Sequence, residues 1–186
     1  MQITGIVVIG AGPLGREIAY LAARSGYPTV LEDVNSETID RALEAIRAWL
    51  AASGLSVEDR TATIGRISTS RSIEDATRAE QLIIDTTIDE LETKLEVFTI
   101  FDKFARPDAI LACCTTSLSV SDLATITFRA ERCVGLRFAE VGTVLKRVEI
   151  VRSARTLDDV ADTCVQVGRR LGLEVAIVSE VGQPSQ

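Results

Sequence analysis

Six residues near the start of the chain, Gly10-Ala11-Gly12-Pro13-Leu14-Gly15, have the types and spacing to hold phosphate groups. Each glycine has its own task. The first allows a tight turn, the second lets backbone approach a pyrophosphate, and the third lets a helix pack closely on a strand. A continuous apolar run, residues 3–9, precedes the motif. Helix-period sequence follows from Pro13, whose missing N–H costs nothing at a first helical position. The free N–H groups and positive dipole end of that helix would face the phosphates. Asp33 ends a second apolar run, residues 29–33, and stands 18 residues beyond Gly15. A carboxylate there accepts hydrogen bonds from both ribose hydroxyls and repels a 2′-phosphate, and no arginine at positions 34–40 would receive one. The arrangement favours NAD over NADP. A glycine turn beside a surface aspartate is the plainer alternative.

The 186 residues include no histidine. Histidine is the side chain whose unperturbed pKa lies near neutrality. Its absence excludes Ser-His-Asp and Cys-His nucleophile activation, His–carboxylate dyads and His-ligated metal within this chain, and no metal site is expected. Twenty Lys and Arg stand against 27 Asp and Glu, a net charge of −7, and no basic run could track a phosphate backbone. Nucleic acid is therefore not an expected partner. No apolar stretch approaches the ~20 residues that span a bilayer. The opening MQITGIVVIG lacks a basic n-region and reads as a strand rather than a signal peptide, so no membrane partner is expected. Cys113, Cys114, Cys133 and Cys164 form no CxxC and lie mostly in apolar runs, the pattern of buried reduced thiols in a cytoplasmic protein.

Apolar runs of strand length alternate with helix-period segments from end to end. Strands are expected at residues 3–9, 29–33, 67–70, 81–86, 109–115, 133–138, 147–152 and 174–179. Helices are expected at 13–24, from Asn35-Ser36 to 52, after Ser56 and Ser72, and at 90–105, 119–126 and 156–171. Only a short link containing Gly142 joins the sixth and seventh strands, too short for a parallel crossover, so the seventh should run antiparallel to the sixth. The last helix then returns the chain to an eighth strand parallel to the seventh. The expected fold class is α/β: a doubly wound sheet of about eight strands, mostly parallel, with the last two reversed. A single domain over 1–182 is expected, with a disordered polar tail at 183–186.

Four further blocks carry a resemblance: LIIDTTIDELETK (82–94), DAILACCTTSLSVSDLA (108–124), ERCVGLRF (131–138) and LKRVEIVR (145–152). In order and spacing they resemble the NAD-binding domain of the 3-hydroxyacyl-CoA dehydrogenases, over residues 3–179. The resemblance implies a Rossmann-type fold, NAD as cofactor, and hydride transfer between NAD and a 3-hydroxyacyl-CoA in fatty acid metabolism. It places Asp89 and Lys94 where relatives have a glutamate and a lysine near the nicotinamide half of the cofactor. An ordinary surface ion pair is the alternative there. Thr116 falls at a family serine that hydrogen-bonds substrate and cofactor, and a threonine hydroxyl can do the same. Cys114 replaces a usual asparagine. Cys113 and Cys114 are read as packing rather than as a redox pair, because neighbours in a strand point to opposite faces.

Arg137 departs most from the family. Relatives carry Gly-Leu-His-Phe where this chain reads Gly135-Leu136-Arg137-Phe138, and their histidine accepts the hydroxyl proton as hydride leaves. An arginine keeps its proton near neutral pH. Its partner by resemblance, Glu149, remains, so a permanently charged bidentate Arg–Glu pair is expected instead of a proton relay. Ala139-Glu140-Val141 replaces a family Phe-Asn-Pro, and residues 53–60 carry two acids and one base where relatives hold CoA with basic residues. The family's helical domain, which supplies part of the acyl-CoA site and the dimer contact, is expected to be missing. Three expectations stand side by side: an impaired 3-hydroxyacyl-CoA dehydrogenase, with the variant that Arg137 instead binds a small acid's carboxylate or steadies an enolate oxygen; a non-catalytic NAD-binding module that forms a homodimer or docks a helical-domain partner; and a gene fragment with no independent role.

Overall fold

Short β-branched runs become strands here because their apolar side chains are covered on both faces. The computed structural model describes residues 1–141 and 144–180, so Gly142 and the tail 183–186 lie outside the described residues. The strands are β1 (Ile6–Ile9), β2 (Thr29–Glu32), β3 (Ile67–Ser70), β4 (Leu82–Asp85), β5 (Ile110–Cys114), β6 (Cys133–Val141), β7 (Val144–Arg152) and β8 (Glu174–Ser179). They form one sheet in the order β3-β2-β1-β4-β5-β6-β7-β8. β1 to β6 run parallel, β7 is antiparallel to β6, and β8 is parallel to β7. The reversed pair at one edge follows the sequence expectation.

The helices are α1 (Pro13–Arg24), α2 (Ser36–Ala52), α3 (Val57–Ile64), α4 (Ile73–Thr77), α5 (Leu91–Phe104), α6 (Val120–Thr125) and α7 (Asp158–Arg170). Side-chain oxygens start several of them. Asn35 accepts from the N–H of Glu37, Ser56 from that of Asp59, and Ser72 from that of Asp75. Each satisfies a first-turn donor that the helix itself cannot.

Alternation along the strands divides the core in two. Val8, Leu31, Ile84 and Cys114 face α1, α2 and α7, whereas Val7, Ile9, Ile83 and Cys113 face α4, α5 and α6. The vicinal cysteines do point to opposite faces. All four thiols are free and buried, and burial raises that of Cys133 to about 11 and that of Cys164 to about 12.

At three places the boundaries differ from expectation by two residues or more. β1 starts at Ile6, because the N–H and hydroxyl of Thr4 bind the Gln81 side chain instead of joining the ladder. The β6–β7 hairpin is longer than the segments 133–138 and 147–152, because pairing continues past a register shift between Ala139 and Glu140. Such a bulge lets an irregular stretch stay in the sheet. α7 starts at Asp158 rather than at 156, because the Thr156 hydroxyl is committed to the Cys133 carbonyl, 2.8 Å away.

Candidate cofactor and active site

β2 lies on one side of β1 and β4 on the other, so successive connections leave β1 in opposite directions. The crevice above the carboxyl ends of strands at such a switch is where open α/β sheets bind ligands. The Gly10–Gly15 loop opens there. Gly10 has φ +94°, a conformation L side chains rarely adopt. A Cβ on Gly15 would collide with the Gly10 carbonyl oxygen, so close helix–strand contact requires that glycine. Around Gly12 nothing lies within 4 Å of where a Cβ would stand. That open approach lies at the N-terminus of α1, which no side chain caps and whose first turn holds no acid. An anionic pyrophosphate fits these features.

Asp33 is held by two backbone N–H groups. Its Oδ2 accepts from the Ala11 N–H at 3.0 Å and its Oδ1 from the Asn35 N–H at 2.9 Å. Each oxygen keeps a lone pair for a ribose hydroxyl. Two neighbours were not singled out by sequence. The Thr86 hydroxyl, at the end of β4, donates to the carbonyls of Ile9 and Gly10 and ties the loop to the next strand. Glu32 is only 3% exposed, and its Oε1 has no hydrogen-bond partner. Burial raises its pKa to about 7, with the charges of Asp33 and Glu74 adding to the shift. The only sequence signal for Glu32 was its place, an acid inside an apolar run.

The nicotinamide-side residues divide into two groups. Asp89 and Thr116 come together: Asp89 Oδ2 accepts from the Thr116 N–H at 3.0 Å and its hydroxyl at 3.1 Å, and from the Ser117 hydroxyl at 3.3 Å. Burial alone would raise the pKa of Asp89. Hydrogen bonds from Thr115 and Thr116, with the Lys94 charge, outweigh it and hold the carboxyl low. Lys94 does not make the surface ion pair given as the alternative. It is wholly buried, and its Nζ lies 2.8 Å from Asp85 Oδ2, with Asp85 equally buried. The cause is topological: Lys94 lies one turn into α5, over the sheet face on which β4 ends. Asp85 also accepts from the N–H and hydroxyl of Thr87, whose carbonyl receives Lys94 at 3.3 Å.

Arg137 and Glu149 are register partners across β6 and β7. The expected bidentate pair is absent, since no ion pair within 4.0 Å joins them. Both are half-buried, and the Nε of Arg137 is buried without a partner. Ladder registration alone does not bring the tips of two long side chains together. Pairings Asp85–Cys113 and Cys113–Gly135 put Arg137, two residues beyond Gly135, on the sheet face that carries Asp85. Ala139 and Glu140 are exposed. Glu180, a further residue missed by sequence, accepts from the N–H groups of Val120 and Ser121 and fills the start of α6. Among the described residues, no group of three His, Cys, Asp or Glu could hold a metal ion, and no helix is long and apolar enough to cross a membrane.

Comparisons with known proteins agree with this geometry. Residues 5–181 match the family profile described as 3-hydroxyacyl-CoA dehydrogenase, NAD binding domain. The chain is 31% identical over 184 residues to a probable 3-hydroxybutyryl-CoA dehydrogenase of Bacillus subtilis, covering 97% of this chain and 64% of the relative. With the human mitochondrial hydroxyacyl-coenzyme A dehydrogenase it shares 29% identity over 176 residues, 90% of this chain and 56% of the relative. The crystal structure of 3-hydroxybutyryl-CoA dehydrogenase from Escherichia coli K12 superposes with a TM-score of 0.90 at 28% identity, over 96% of this chain and 39% of that one. This chain thus spans less than two thirds of the length of these relatives. With NAD as its cofactor, the chain belongs to the family of 3-hydroxyacyl-CoA dehydrogenase NAD-binding domains.

Proposed function

We propose that this chain binds NAD and carries a hydride-transfer site of 3-hydroxyacyl-CoA dehydrogenase type in which Arg137 leaves 3-hydroxyacyl-CoA oxidation impaired or absent. The observation that carries the reading is Arg137 itself, at the proton-acceptor position by family resemblance and beside Glu149 in the ladder. A guanidinium has no lone pair to offer near neutral pH. Glu149 is not aligned behind it as a relay. The remaining roles follow from placement. The Gly10–Gly15 loop and the start of α1 take the pyrophosphate, Asp33 the ribose hydroxyls, and Asp89 holds the Thr116 loop so that its hydroxyl borders the cofactor. Lys94 acts through Asp85, keeping the floor of the site charge-balanced. Bound NAD would supply the hydride acceptor.

The test is direct. Calorimetry should find NAD binding in the micromolar range, strongly weakened by Asp33→Ala, and a spectrophotometric assay with 3-hydroxybutyryl-CoA should show negligible NADH formation. Arg137→His should restore measurable turnover if the base alone is missing. No NAD or NADH binding at millimolar ligand would reject the cofactor-site assignment, and turnover by the unmodified chain would reject the impairment.

A further inference from the structure

Arg129 shows what an arginine does when the fold uses it. Its guanidinium donates to the Asp102 carboxylate and to the backbone carbonyls of Asp102, Ala105 and Arg106. Arg137 has no such set. Its Nε is buried without a partner, and Glu149 opposite it forms no ion pair with it. A buried donor left without an acceptor carries the full penalty of losing water, so such a group calls for an explanation.

Its surroundings point toward a ligand. Below Arg137 the sheet face is sealed, since a Cβ on Gly135 would come within 2.7 Å of a Val120 methyl and 3.0 Å of Val151 Cβ. Two acids at the same end of the sheet are engaged elsewhere: Asp85 with Lys94, and Asp89 with Thr116 and Ser117. Thr115, one strand over on the same face, turns its hydroxyl to the N–H groups of Ser117 and Leu118. No protein acceptor hydrogen-bonds the half-buried Arg137, which stands in β6 just past Leu136, the last residue paired with β5 at the carboxyl ends of the parallel strands. Glu149 keeps the local positive charge low, so recognition depends on the planar fork rather than on bulk charge. The partner that matches a guanidinium fork is a carboxylate.

We propose that Arg137 anchors the carboxylate of a free oxo- or hydroxy-carboxylic acid, held on the Thr116 side of the NAD crevice, so that this site selects an acid over a thioester. The oxo or hydroxy part of the assignment rests on the hydride-transfer reading above; the carboxylate part rests on Arg137 alone.

The experiment compares acetoacetate with its uncharged methyl ester by calorimetry and ligand-observed NMR on the full chain, with and without NADH. Acetoacetate should bind at least about tenfold more tightly than the ester, a difference expected for one charge-assisted fork. Arg137→Gln should abolish that preference. Arg137→Lys, which keeps the charge but loses the fork, should retain only part of it and serves as the informative variant if the glutamine form does not fold. Equal binding of acid and ester, no binding of either, or a preference that survives loss of the guanidinium would each overturn the proposal. NADH titrations separate the two readings. Acid preference without NADH binding rejects the cofactor site and leaves the Arg137 anchor standing, whereas NADH binding without acid preference does the reverse.

Discussion

Two buried carboxyls beside the crevice are stabilised in opposite ways. Asp85 is neutralised by Lys94 at 2.8 Å, with no exposure of either side chain. Breaking such a pair on one side strands a charge, at about 3–5 kcal/mol. Lys94→Met should therefore lower stability by that order in urea unfolding. The double variant Lys94→Met/Asp85→Leu should recover most of the loss, and failure to recover would mean that the pair does not act as a unit. Glu32 has no cation. Its pKa rises to about 7, from 4.5, chiefly by burial and further through Asp33 and Glu74. The folded protein thus holds a proton that the unfolded chain releases between those two values. The contribution of Glu32 is whole below pH 4.5 and is lost as pH rises to about 7. The loss amounts to about 3 kcal/mol and stays constant above that window. Glu32→Gln should flatten this part of the stability–pH profile and raise the melting temperature at pH 8. An unchanged profile would contradict the assignment.

At the scale of elements, the loop between β1 and α1 gives two of its glycines different surroundings. Gly15 is a packing position, where a Cβ meets the Gly10 carbonyl. Gly12 is an open position, where a Cβ meets nothing within 4 Å. Gly15→Ala should shift α1, lowering both stability and NAD affinity. Gly12→Ala should fold with a stability within about 1 kcal/mol of the native chain while losing NAD affinity by tenfold or more. Thermal melts combined with NAD calorimetry distinguish the two, and a stable Gly12→Ala that binds NAD normally would show that the pyrophosphate does not pass there. The Glu180 carboxylate on α6 belongs to the same scale. It links the end of β8 to the helix that follows the Thr116 loop, and its hydrogen bonds to Ser121, Ser119 and Val120 outweigh burial and hold its pKa low.

Across the whole molecule, the eight-stranded sheet collects residues from distant parts of the chain at one edge of its parallel strands. Asp33, Asp85, Asp89, Thr116 and Arg137 come from β2, β4, β5, β6 and the loops after them. Their meeting follows from parallel pairing, which aligns carboxyl ends. The element order, helix caps and reversal at β7 were legible in the sequence because each depends on local signals: apolar period, Asn35, Ser56 and Ser72 before their helices, and a link too short for a crossover. The glycine loop with Asp33 was legible for the same reason.

Contacts between elements were not legible. That Lys94 would turn inward to Asp85 depends on how α5 sits over β4. That Arg137 and Glu149 would share a register without forming an ion pair depends on side-chain direction across the hairpin. The sequence by itself determined the fold class, the cofactor loop and the absence of a histidine base, because composition and local spacing are properties of the chain. Only the tertiary structure decided which charges are paired and which are left open, because pairing requires groups far apart in sequence to meet within hydrogen-bond distance. By that measure Lys94 is spent inside the protein, and the buried Nε of Arg137 is left without a protein partner.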